Sequence, residues 1–137
     1  MKVVSACLVG VKCRFDGKSK PDKKVIELVK KGEAVPVCPE QLGGLSTPRE
    51  KHEILNGRVV SESGVDRTKE FKLGAEEALK ITLLCGCDEA VLMHRSPSCS
   101  CDKVYDGSFS GKLVSGEGFF AKLLRGNNIK VKSYEEI

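Results

Sequence analysis

The sequence predicts an α/β fold of three layers, Rossmann-like, with a mostly parallel sheet and helices on both faces. Three observations carry this. Short runs rich in β-branched residues alternate with longer segments whose apolar residues recur at helical spacing. Glycine and proline mark the boundaries between them. The chain has 137 residues, a length that suits one domain, 1–137, with a real core.

The elements follow in order. KVVSAC, from Lys2, is the first strand, and LVGVKCRFDG is a loop with Gly10 and Gly17. PDKKVIELVKKG is a helix, with proline near its start, Val25, Ile26, Leu28 and Val29 for its buried side, and Gly32 as its stop. EAVPVC is a short strand. PEQLGGLSTPREKHEI, full of breakers, is a loop. GRVVSESG reads as a strand and turn, apolar only at its start. Thr68 to Leu84 is a helix, with Phe71, Ala75, Ala78, Leu79 and Leu83 on its apolar stripe. EAVLM is a strong strand, HRSPSCSCDKVYDGSFSGKL a second long loop, GEGFFAKLLRGN a helix, and IKVKSY a final strand. No repeat, linker or low-complexity tract interrupts the pattern.

Composition removes several function classes. There are 23 basic and 19 acidic residues, and no basic block, so nothing points to nucleic acid. No apolar run approaches a membrane span. MKVVSACLVG is too short and β-branched for a signal-peptide core, and charge returns at Lys12 and Arg14, so the expected location is cytoplasmic. Seven cysteines are many for this length. An odd count cannot pair fully, and a reducing compartment disfavours structural disulfides, which gives weight to metal or thiol chemistry. The bland reading, small buried hydrophobes, fits Cys85 in LLCGC best.

Placement sharpens the reading. Cys7 follows the first strand, Cys38 follows EAVPV, and Cys99 lies in the loop after EAVLM. In parallel α/β sheets, sites form beyond the carboxyl ends of the strands, so three strand ends deliver thiols to one edge. His94, Glu40 and Asp106 are near in the chain. Spacing alone is uninformative: Cys7 and Cys13 form C-x5-C, and Cys85/Cys87 and Cys99/Cys101 form C-x-C, none of them the C-x2-C of zinc knuckles or bacterial ferredoxins. An iron–sulfur cluster held by three thiolates leaves one iron open, which can act as a Lewis acid. Incidental buried thiols remain the alternative.

SACLVGVKCRFDG, PVCPEQLGGLSTPR, and RSPSCS followed by YDGSF together resemble the bacterial and archaeal family of domain of unknown function 523, to which thiouracil desulfidases are related. The resemblance covers nearly the whole chain. It implies an α/β domain with a [4Fe-4S] cluster held by Cys7, Cys38 and Cys99, with Cys13 the competing ligand. It implies removal of sulfur from a thiolated pyrimidine such as thiouracil, giving the oxo base and sulfide without net electron transfer. The expected partners are a small thiolated base and the iron–sulfur assembly machinery. Glu40 would activate water or protonate a leaving group, and Ser96 or Ser98 would orient substrate or donate a hydrogen bond to sulfide. The chain departs from the pattern at Ser100, where glycine is usual, at His94, where lysine is expected, and at Cys101, a spare thiol near the site. Two other readings stand beside it: a cluster module that binds a small molecule or sulfide without rapid turnover, and a zinc or redox-thiol protein.

Other residues are weighed against blander roles. His52, in REKHEI, is expected on the surface. His94 ends a strand and enters the cysteine loop, where its near-neutral pKa suits a site role. Arg49 offers a rigid donor fork or a surface salt bridge. Asp16 and Asp106, each followed by glycine, read as turn formers. Gly43 and Gly44 could bring backbone donors to a ligand, and Gly116 and Gly118 precede a helix whose amides could meet an anion.

Overall fold

The computed structural model describes residues 1–137. At its centre lies a four-stranded, wholly parallel sheet in the order β2-β1-β5-β8. These strands are β1 (Lys2–Ser5), β2 (Ala34–Val37), β5 (Glu89–Leu92) and β8 (Lys130–Ser133), the four that the β-branched runs predict. β1 and β5 run through the middle, and Val3, Val4, Ala90, Val91 and Leu92 are fully buried. Apolar side chains on both faces are what a sheet covered on both sides requires.

The three expected helices are α1 (Lys23–Lys30), α3 (Thr68–Leu84) and α4 (Phe119–Gly126). Asp22 caps α1 by accepting from the amides of Lys24 and Val25 at 3.0 and 3.1 Å. α3 and α4 pack on one another, and right-handed crossovers put α1 on the opposite face. The buried stripe of α3 is Phe71, Gly74, Ala75, Ala78 and Thr82. The sequence reading put Leu83 in that stripe; it is 54 % exposed instead, and Thr82 takes the inner position with its hydroxyl satisfied by the Ala78 carbonyl at 2.7 Å.

Both expected loops contain structure. The first forms α2 (Pro39–Leu42) and β3 (His52–Leu55), which pairs antiparallel with β4 (Arg58–Ser61). The second forms a hairpin of β6 (Lys103–Tyr105) and β7 (Leu113–Ser115). α2 is one turn long, and it lies against α3 with no room to spare. A Cβ added at Gly43 would meet the Glu70 carbonyl oxygen at 2.1 Å, and one at Gly74 would meet that of Pro39 at 1.9 Å. These glycines set the height of α2, and with it the positions of Cys38 and Glu40. They are packing residues, not ligand donors.

Gly74→Ala is therefore expected to destabilise the protein by about 2–3 kcal/mol despite the better helix propensity of alanine, because the new methyl meets backbone on both sides. Thermal unfolding measures this. A midpoint equal to that of the wild type would show that α2 can lift off α3 freely.

Candidate active site

The order β2-β1-β5-β8 places a topological switch point between β1 and β5, where connections leave to opposite sides and a crevice opens at the carboxyl ends. A cavity of about 490 Å³ lies there, lined by Cys7, Cys13, Cys38, Cys99, Glu40, Arg49, His94 and Ser96 among others. Cys7 sits in a 3₁₀ turn, Ala6–Val9, directly after β1. Cys38 directly follows β2 and is the N-cap of α2. Cys99 comes from the loop after β5. The ends of β1 and β5 are tied together by the Met93 amide, which donates to the Ser5 hydroxyl at 2.9 Å.

The Cys99 loop is fixed from behind by α4. The amides of Phe119, Phe120 and Ala121, which have no partner within the helix, donate to the carbonyls of Pro97 (2.8 Å) and Ser98 (2.9 and 3.1 Å), and Gly118 donates to Ser100 at 2.8 Å. Those amides are thus spent on the loop and not available to an anion. The contact is close enough that a Cβ at Gly118 would fall 2.3 Å from the Ser98 carbonyl group.

The two serines take different roles. Ser96 lines the cavity, and its hydroxyl accepts from the amides of Ser98 and Cys99 at 3.0 and 3.1 Å while donating to Glu40 Oε2 at 3.1 Å. Ser98 is not among the cavity residues; it is buried, and its Oγ has no hydrogen-bond partner. Glu40 Oε1 accepts from Arg49 Nε at 3.0 Å, in an ion pair whose side chains are 14 % and 5 % exposed. Arg49 also donates to the carbonyls of Cys13 (2.8 Å) and Ser46 (3.1 Å) and to the Thr47 hydroxyl (3.0 Å). One guanidinium thus ties two loops to the carboxylate on α2, the use for which its fork is suited.

Cys7, Cys13 and Cys99 are buried and Cys38 is partly buried. Burial above all raises Cys99, beside Ser5, Cys38, Glu40 and Cys13. Contact with the Cys13 thiol, then burial, raises Cys38. Cys13 is pushed up to about 11: contact with Cys38 lowers it, but contact with Cys7, burial and the charge of Cys7 together outweigh that. Arg14, Lys20, Lys51 and Arg95 also line the cavity, as do Glu50, Glu53 and Glu62, so charges of both signs surround a thiol set that metal binding would ionise.

Two sequence expectations need correction. His52 lines the cavity, half-buried, with its Nε2 lacking a partner and its ring tilted on Phe71 at 5.3 Å. The charged residues around it hide the strand β3. Cys101 is buried but is not a cavity residue, so the spare thiol lies away from the site; burial raises its pKa. Asp106 is also outside the cavity and, like Asp16, closes a turn, accepting from the amide of Ser108 at 2.9 Å as Asp16 does from Lys18 at 3.0 Å. His94 does line the cavity. Burial lowers its pKa, its Nδ1 has no partner, and Tyr134 meets its ring edge-on at 5.5 Å. The residues that sequence reasoning missed are Ser5, Arg95, Tyr105 and Phe109, of which Ser5 was visible in the SAC motif and Tyr105 and Phe109 in YDGSF.

No three His, Cys, Asp or Glu side chains close on a point that one ion would fill. Four thiols line a shared cavity instead, a soft donor set of the kind that takes iron as well as zinc.

The family model for 2-thiouracil desulfurase matches residues 3–136. The uncharacterised protein YbbK of Bacillus subtilis strain 168 is 37 % identical over 147 residues, covering 100 % of this chain and 97 % of that protein. A solved structure of a [4Fe-4S]-dependent thiouracil desulfidase, TudS, superposes with a TM-score of 0.94 at 43 % identity, covering 98 % of this chain and 91 % of that one. With three motifs in order, a switch-point cavity lined by thiols and a model match over nearly its whole length, this chain belongs to the 2-thiouracil desulfurase family, the family of domain of unknown function 523.

Proposed function

We propose that residues 1–137 form one desulfidase domain that uses a [4Fe-4S] cluster to remove sulfur from a thiolated pyrimidine such as thiouracil. Cys7, Cys38 and Cys99 would hold the cluster. The observation that carries the reading is the meeting of these three thiols with the Glu40–Ser96 pair in one cavity. When bound, the cluster would supply an open, Lewis-acidic iron with affinity for sulfur.

The chain's own residues supply the rest. The reaction exchanges a thiocarbonyl for a carbonyl: water adds to the ring carbon, sulfur leaves as hydrogen sulfide, and no electrons are exchanged with a third party. Glu40 takes a proton from the attacking water. Its ion pair with Arg49 at 3.0 Å fixes the carboxylate in place beside Ser96. Ser96 is the serine that serves the site, because its hydroxyl faces Glu40 and its oxygen braces the amide of Cys99. His94, whose pKa burial lowers, lines the cavity wall with its ring held edge-on by Tyr134. We place the protein in the cytoplasm, where thiols stay reduced and the iron–sulfur assembly machinery can load the cluster. No helix is long and apolar enough to cross a membrane.

Anaerobic reconstitution tests this. The expected result is a brown protein with about four irons per chain that converts thiouracil to uracil and sulfide. A colourless protein holding one zinc would return the chain to the zinc reading. A full cluster that binds thiouracil or sulfide without turnover would favour the carrier module.

A further inference from the structure

The two antiparallel hairpins meet at the cavity, and an unusual carboxylate joins them. Glu53, on β3, is only 6 % exposed. It belongs to none of the ion pairs in the molecule. A buried carboxylate without a cation is costly unless hydrogen bonds replace its water. Here Glu53 Oε1 accepts from the amides of Gly107 and Phe109, both at 3.0 Å, in the turn between β6 and β7.

Both donors have left-handed backbone, with φ of 92° at Gly107 and 57° at Phe109. Glycine adopts this freely. A bulky aromatic residue does not, and such strain persists only where the surroundings impose it. Asparagine or glycine would make the same turn with less strain. What phenylalanine adds is its ring, and that ring lines the cavity. Phe15 and Tyr105 line it too, but neither has a left-handed backbone.

We infer that Phe109 is a substrate-contacting residue, an aromatic face for a planar thiolated heterocycle, and that Glu53 is the positioning residue that holds it there. This rests on the desulfidase reading. A thiolated pyrimidine is flat and polarisable, and stacking on an aromatic ring binds it without regard to which edge carries the sulfur. Such a contact is made equally in the ground and transition states, so its loss should appear in KM and not in kcat.

The test uses the full-length, cluster-loaded protein with thiouracil. Phe109→Leu is expected to raise KM about tenfold, within the range that base stacking commands, with kcat little changed. Phe109→Gly removes the ring and relieves the backbone, so its thermal midpoint should equal or exceed the wild-type value while KM rises at least as far. Glu53→Ala should raise KM similarly, and Glu53→Gln, which keeps an acceptor oxygen, should recover most of the loss. Uracil titrated into the iron-free proteins and followed by NMR should show the same order of affinities. Phe109→Leu with wild-type KM, in a preparation that turns over, would overturn the inference and leave the desulfidase reading intact. Destabilisation of Phe109→Gly without a change in KM would make the ring a packing residue. A fully loaded wild type that neither binds nor converts thiouracil would sink both.

Discussion

Replacing Cys38 with serine is expected to cost the protein its iron and its turnover together, and Cys7→Ser and Cys99→Ser should do the same. A serine hydroxyl is a hard, weakly acidic donor that does not substitute for a thiolate on iron. Residues that merely orient a metal ligand cost about 10–100-fold when lost, so loss of a ligand itself should lower turnover by more than about 100-fold. Cys13→Ser is the informative companion. It removes the fourth cavity thiol, which touches both Cys7 and Cys38, and it should keep the iron. Cys85→Ser with Cys87→Ala is the distant control: these residues precede β5, at the amino end of the sheet, and Cys87 belongs to the hydrophobic core. Iron per chain and anaerobic turnover, measured on the same samples, separate the outcomes. Iron lost from Cys13→Ser and retained by Cys99→Ser would mean that the ligand set is Cys7, Cys13 and Cys38.

Glu40→Gln should lower turnover by about 10²–10⁴ while the cluster stays in place, the range that general acid–base assistance supplies. Glutamine keeps the shape and one acceptor oxygen for Arg49 or Ser96, but cannot take a proton. Stability will also fall, because Arg49, only 5 % exposed, loses its counter-charge; removing one partner of a buried pair costs up to about 3–5 kcal/mol. Activity must therefore be expressed per bound iron, and the unfolding midpoint recorded beside it. Full activity per iron would take Glu40 out of the mechanism. Loss of iron in step with loss of fold would make Glu40 and Arg49 a structural clamp.

The sheet and the three long helices were legible because each satisfies a periodic rule over enough residues to be seen. β-branched runs such as KVVS and EAVL are buried on both faces, and α3 repeats its small and apolar residues along one stripe. α2 was not legible, since PEQL is a single turn and its placement depends on Gly43 meeting α3. The hairpins escaped for a different reason. β7 has no buried residue, so LVS shows no inward face, and its pairing with β6 is set by the turn between them. In the site, the strand-end cysteines were visible from topology alone. Ser96 and Ser98 could not be told apart, because their difference lies in which way a two-residue step turns around Pro97. Glu53 looked like one more charge in REKHEI, and nothing local reveals that it lies beneath a turn more than fifty residues later in the chain.

The three thiols that we assign to the cluster follow the first, second and third strands of the sheet in chain order, and the third strand to be made, β5, is the one that docks against the first. A chain emerging from the ribosome therefore cannot present the complete ligand set until most of its length has been synthesised and β1 has found its distant neighbour. A cluster held by these thiols would tie together three loops of the native state, an arrangement the unfolded chain does not offer. Loading should then slow unfolding and protect the chain from proteases by simple mass action, so that iron starvation would appear in the cell as a shorter lifetime of the protein as well as a loss of its activity.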